Sequence, residues 1–209
     1  MPFRYRTMSR QETDPRLLES RGSGRQLGRF DFRLMVEALN QSQHPTDVLV
    51  RAIIDSGRRA SQVEVEAIRQ RLRSAPFSTR TIRVPPALRT GPSAASALGP
   101  SNNALAVHVA QRISLDRQWA TTSPELFLED LRASVEAVST RMVLYRDRGG
   151  AIALAIAATA DVIPPPRLGA GAQALLVMVY SADRGTIVSG YQASSLARIR
   201  IGENAIWLP

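Results

Sequence analysis

From residue 142 onward the chain falls into short apolar runs cut by turn residues, and this spacing restricts the fold more than any other feature. The runs are MVLYR (142–146), AIALAIA (151–157), ALLVMVY (174–180), GTIVSGY (185–191), ARIRI (197–201) and AIWL (205–208). Runs this short, bounded by turn residues, predict strands rather than helices. Asp147-Arg148-Gly149-Gly150 suits the turn of a hairpin, and Pro164-Pro165-Pro166 ends the run before it, because proline has no N–H to give a ladder. The C-terminal half therefore reads as β-rich and antiparallel.

Helical signals lie mostly ahead of it. Asp31 can cap a helix through about Asn40, with Leu34, Met35, Ala38 and Leu39 as its apolar stripe. Thr46 or Asp47 opens a second helix, with Val48, Leu49, Ala52 and Ile53 inward and Gly57 as its stop. Ser61-Gln62-Val63-Glu64 has the form of a capping box and starts a third helix running to about Arg73. Ser123-Pro124-Glu125 starts a fourth, with Phe127, Leu131, Val135 and Val138 along one face. LAVHVAQRISL (105–115) alternates and predicts a strand. Residues 74–103 are rich in Pro, Ser, Ala, Thr and Gly, and only 79–84 there suggests a strand. The expected organisation is a basic arm (1–30), a helical region (31–73), a linker or extended arm (74–103) and a β-rich domain (104–209). The class is α+β: a helical N-terminal part, then a mainly antiparallel β domain, jelly-roll-like in one arrangement, with one prominent helix.

Composition narrows the chemistry. The 209 residues include no cysteine, which excludes disulfides, thiolate metal sites and cysteine nucleophiles. All 27 basic residues are arginine. Through residue 90 there are 17 arginines against 9 acids; after it, 10 against 9. The polyanion-seeking part is thus N-terminal. Guanidinium forks grip phosphate bidentately, so Arg4, Arg6, Arg10, Arg21, Arg25, Arg29, Arg58, Arg59, Arg69, Arg71 and Arg73 are the candidate nucleic-acid contacts. The longest apolar run, 151–160, is half the roughly 20 residues of a membrane span, so no membrane partner is expected. The basic start MPFRYRTMSR lacks the apolar stretch of a secretory signal. His44 and His108 are the two histidines, and no acid cluster has ligand spacing, so no metal and no cofactor are expected. GSGRQLG (22–28) follows no predicted strand, and GxSxG is absent.

One metal-free chemistry fits the residues present. RNA is cleaved through its own 2′-hydroxyl when a base takes that proton, a cation steadies the phosphorane and an acid serves the leaving oxygen. His108, Arg112 or Arg117, and the Ser189-x-Tyr191 pair supply those types. The order His-Val, Arg, helix, Ser-x-Tyr resembles the RNase A-like C-terminal toxins of bacterial contact-dependent inhibition systems, across about 105–192. It departs from their pattern in having Ser189 for threonine and a shorter His-to-Arg spacing.

A second resemblance uses the same hairpin. VMVYSADRG (177–185) followed by closing strands is similar to the last third of cucumovirus-type coat proteins of small positive-strand RNA viruses. That resemblance implies a self-assembling structural subunit of a capsid, with copies of itself and nucleic acid as partners, RNA in preference to DNA, in the virion or the host cytoplasm. The charge map agrees with such a division of labour, and this non-enzymatic reading is the leading expectation. The ribonuclease is the alternative. A helix-turn-helix DNA reader, with Ser61, Gln62 and Glu64 opening its recognition helix, is a third; Glu64 and Glu66 would there repel phosphate.

Overall fold

The computed structural model describes residues 41–82, 84–89 and 103–209. The expected helix at 31–40 and the arginines at 4, 6, 10, 21, 25 and 29 lie outside the described residues. Those from Ser42 to Pro209 form one unit, in which the helices ahead of the sheet share its core.

Helix α1 spans Pro45–Ser56. His44 is its N-cap, accepting at Nδ1 from the Thr46 N–H at 3.2 Å. Gly57 ends it at φ 66°, a left-handed conformation that costs glycine little. The buried face is Asp47, Val50, Ile53 and Ile54, while Val48 is 44% exposed. The expected stripe is thus rotated. The reason is Asp47, which lies inside the protein and accepts from Tyr180 Oη (2.5 Å), Ser42 Oγ (2.6 Å) and Arg71 (3.2 Å).

Helix α2 spans Gln62–Ser74, and its capping box forms as read: Ser61 Oγ accepts from the Glu64 N–H, and the Glu64 carboxylate accepts from the Ser61 N–H. The four-residue α3 covers Pro86–Arg89. The described residues of 79–84 make no strand; Thr81 forms an isolated bridge to Asn103.

Helix α4, Ala104–Ser114, replaces the strand expected over 105–115. Asn103 caps it by accepting from the Ala106 N–H at 2.8 Å. Its buried positions, Ala104, Ala106, Val107, Val109 and Ala110, mix the two periods, and the valines imitate alternation. Helix α5, Pro124–Glu136, starts at Ser123 as predicted and buries Phe127, Leu131 and Val135. Val138 lies past its end and is fully exposed.

Five strands follow: β1 Arg141–Arg146, β2 Ile152–Thr159, β3 Leu175–Ser181, β4 Thr186–Ala193 and β5 Glu203–Leu208. They form one antiparallel sheet in the order β4-β3-β2-β1-β5. The described strands thus make a single layer, where a jelly roll needs two facing sheets. On one face Met142, Leu144, Leu154, Ile156, Leu176 and Met178 join the core of α1, α2 and α5.

The opposite face carries Val143, Tyr145, Ala153, Ala155, Ala157 and Val177, packed with Ile199 and Ile201. β4 and β5 are opposite edges, so residues 194–202 must cross this face to join them. ARIRI (197–201) is therefore not a strand: it is a 3-10 turn, Leu196–Arg198, running into a strap that lays its isoleucines on the sheet. Alternation survives there without a ladder partner. The same packing explains AIALAIA: large residues of β2 face the helices, while alanines lie on the strap's side.

Candidate active site

The edge strand β4 carries Ser189 and Tyr191, two of the residues singled out for RNA cleavage, and a third, Arg112, reaches it from α4. An edge strand leaves backbone groups unpaired, and here neighbouring elements take them up. Pro76 O and Ser78 N bond Ile187 N and O, each at 2.8 Å. Further along, Arg112 Nε donates to the Gly190 carbonyl at 2.7 Å. At the end of the strand, the side chain of Gln118 bonds both backbone groups of Gln192, accepting from its N–H (2.8 Å) and donating to its carbonyl (2.9 Å). Helix α4 therefore runs beside β4.

This arrangement sets Arg112 against Tyr191 and places His108 one turn back along α4. His108 and Arg112 are one turn apart on α4, about 6 Å of rise. Ser189 and Tyr191 are two residues apart on one face of β4, about 6.6 Å. Arg112 Cζ lies 5.7 Å from the Tyr191 ring centroid, a cation–π contact. His108 meets Phe77 edge to face, centroids 5.4 Å apart, and Phe77 bridges to Ile187. The intervening Gly190 faces α5 so closely that a Cβ there would lie 2.6 Å from both Leu131 methyls.

His108 is held in one tautomer. Its Nδ1 is 2.8 Å from the Ala104 carbonyl, and since a carbonyl only accepts, Nδ1 carries the hydrogen. Nε2 is then the lone-pair nitrogen, and no described residue bonds to it. Burial pushes the imidazole below its ordinary range; the Ala104 carbonyl opposes this and the Arg112 charge adds to it. A neutral imidazole with a free Nε2 is what a general base needs at neutral pH.

Tyr191 is biased the other way. Burial raises its phenol, against the charges of Arg112 and Arg200 and the Arg200 backbone N–H. The hydroxyl therefore keeps its proton through neutral pH and can donate it.

The two arginines differ in availability. Arg112 is committed to Gly190, to an ion pair with Asp116 and to the Tyr191 ring. Arg117 is exposed, its guanidinium bonds no described residue, and it sits at φ 53°, the left-handed region that non-glycine residues rarely enter.

Of the five described arginines expected to meet nucleic acid, four are bonded to groups of the chain itself. Arg58 makes a fork with Glu64 at 2.9 and 2.6 Å, holding that carboxyl down at about 2. Arg69 donates to the Val135 carbonyl at 2.7 Å. Arg71 pairs with buried Asp47 and donates to the Gly185 carbonyl. Arg73 bonds Glu136, Glu66 and Gln70. Arg59 is exposed.

Among the described residues no group of three or more histidines or acids could hold a metal ion, and no helix is long and apolar enough to cross a membrane. A cavity of about 410 Å³ opens between the end of α1 and β5, lined by residues such as Asp55, Gly57 and Asn204, and holds none of the five candidates. Sequence reading missed Gln118 and Gln192, whose role depends on a loop meeting a strand 74 positions away. Compared with protein-family models, curated proteins and solved structures, the chain matches none.

Proposed function

We propose that this protein cleaves RNA by internal transfer to the substrate's 2′-hydroxyl, with His108 as general base. His108 Nε2 takes the 2′-hydroxyl proton, the 2′-oxygen bonds to phosphorus and the bond from phosphorus to the 5′-oxygen breaks. The products are a 2′,3′-cyclic phosphate and a 5′-hydroxyl, whose proton comes from the Tyr191 phenol. Arg117, the uncommitted guanidinium, steadies the charge that builds on the phosphorane oxygens, where preorganised donors act most strongly. Arg112 holds Tyr191 in place, and Ser189 adds a second hydroxyl on the same face.

One observation carries this reading: Arg112, a single turn from a tautomer-locked His108, is stacked on Tyr191. These three residues lie 83 positions apart at their extremes, on a helix and an edge strand.

The reading as a self-assembling capsid subunit draws less support. Arg58, Arg71 and Arg73 lie against carboxylates, and the edge of β4 is occupied by the chain's own groups. A DNA reader is disfavoured because Glu64 is held ionised at the start of α2, where a phosphate would approach. The test is His108→Ala on the purified chain. It should keep the fold, read by circular dichroism, and lose cleavage of single-stranded RNA. Cleavage by the variant at the wild-type rate would remove the proposal.

A further inference from the structure

Arg117 is strained, and the structure holds it in that state from several sides. Its φ of 53° is unfavourable for a residue with a Cβ. Its carbonyl accepts from the Gly171 N–H at 2.8 Å, and the next carbonyl, of Gln118, accepts from the Gly169 N–H at 3.0 Å. The two glycines pass so close that a Cβ at Gly169 would lie 2.1 Å from the Arg117 oxygen, and one at Gly171 2.3 Å from the Asp116 oxygen. Gln118 N–H donates back to the Arg112 carbonyl at 2.9 Å.

The remaining restraint is a reciprocal clasp. The Gln118 amide bonds the backbone N–H and carbonyl of Gln192, while Gln192 Nε2 donates to the Gln118 carbonyl at 3.0 Å. Gln192 Oε1 also accepts from the Gln173 N–H at 2.7 Å. Gln192 is 3% exposed, and both its amide nitrogen and its amide oxygen are bonded. The clasp thus ties the residue after Arg117 to the residue after Tyr191. An apolar loop would pack as firmly without fixing the register between those two neighbours.

We infer that Gln118 and Gln192 are positioning residues, which set the Arg117 guanidinium against the phosphate while Tyr191 faces the leaving oxygen. The inference rests on the RNA-cleavage reading. Both glutamines act through Arg117 and touch no substrate. Displacing a group by about 1 Å costs a reaction on the order of 100-fold.

The experiment uses the full chain, a fluorescein-labelled single-stranded RNA, and the variants Gln118→Glu, Arg117→Ala and their combination. Gln118→Glu keeps the shape and the acceptor but loses the donor to the Gln192 carbonyl. It should lower kcat roughly 100-fold, leave KM little changed, and melt within a few degrees of wild type. In the Arg117→Ala background it should lower kcat no further, because the two changes act on one element. A thermal melt on each variant separates misfolding from misplacement, and Gln192→Glu provides the same comparison from the other side of the clasp. If wild type cleaves and Gln118→Glu cleaves equally well, or if its loss adds in full to that of Arg117→Ala, the inference falls alone. If folded wild type leaves the RNA intact, the function proposed above falls with it.

Discussion

Arg112 lies over the ring of Tyr191, Cζ 5.7 Å from the centroid, while its Nε donates to the Gly190 carbonyl between Ser189 and Tyr191. The guanidinium thereby joins α4 to the stretch of β4 that carries Ser189 and Tyr191. Its Nε and one terminal nitrogen donate within the protein, which is why the proposal assigns the phosphate to Arg117. Each expectation below follows from that junction or from the core that supports it.

The base should titrate low. Burial favours neutral His108, so its midpoint in the folded protein lies below the ordinary imidazole value of 6.5. The acid limb of the kcat/KM profile should therefore fall at a pH below 6.5, and His108→Ala should abolish that limb with the activity. The same shift bears on stability. Between the folded and unfolded midpoints the unfolded chain binds more protons, so stability is full above 6.5 and declines as pH falls. Rate profiles and urea denaturation across that range check both signs.

Tyr191→Phe should separate the hydroxyl from the ring. The ring stays for Arg112 to cover, so melting should change little. Loss of the acid should lower kcat on the order of 100-fold. Ser189→Ala should cost less, because no described residue bonds that hydroxyl and it is the second on its face. Single-turnover cleavage of a short RNA measures both.

Gly190 is set by space rather than by dihedral angle. A methyl group there would meet both Leu131 methyls at 2.6 Å and Phe127 Cζ at 2.9 Å. Gly190→Ala should destabilise by about 1–3 kcal/mol through overpacking. It should also lower activity, since the strand can relieve the clash only by shifting Ser189 and Tyr191. Denaturant midpoints and initial rates on the same preparation would show both effects.

Among the described residues, the least exposed acid is Asp47, at 0% with three donors on its carboxylate. Removing it strands Arg71 and Tyr180, whose side chains also meet face to cation at 5.8 Å. Asp47→Ala should cost about 3–5 kcal/mol, as for other buried pairs broken on one side. A loss within 1 kcal/mol of zero on chemical denaturation would mean that water enters the site.

Elements whose signals are local were legible. The Ser61 box, the Gly57 stop, the Ser123-Pro124 start and the hairpins at 147–150 and 182–185 depend on a few adjacent residues, and all are in the structure. The α+β class followed from them. What failed depended on distant partners. The 105–115 segment alternates valines because only part of α4 faces the core, and the Asn103 cap that identifies it lay in a stretch read as linker. ARIRI lays its isoleucines on the sheet as a strand would, yet topology sends it across the face. Val48 was placed inside because no rule anticipates an aspartate as the inward residue of α1. At the candidate site, the sequence offered the residue types His108, Arg112, Arg117, Ser189 and Tyr191, whose catalytic roles are the proposal above, while the contact of Arg112 with Tyr191 was not readable. Nor was the division between Arg112 and Arg117, because it turns on which guanidinium the fold has already used.

The central claim is attack by the substrate's own 2′-hydroxyl, and one paired assay addresses it directly. Wild-type protein is incubated, with a chelator present, with a single-stranded RNA and with the same sequence carrying one 2′-deoxy nucleotide at the cleaved position. The account predicts a 2′,3′-cyclic phosphate end from the first and no cut at that position in the second. An RNA left whole, or equal cutting of both substrates, would contradict it.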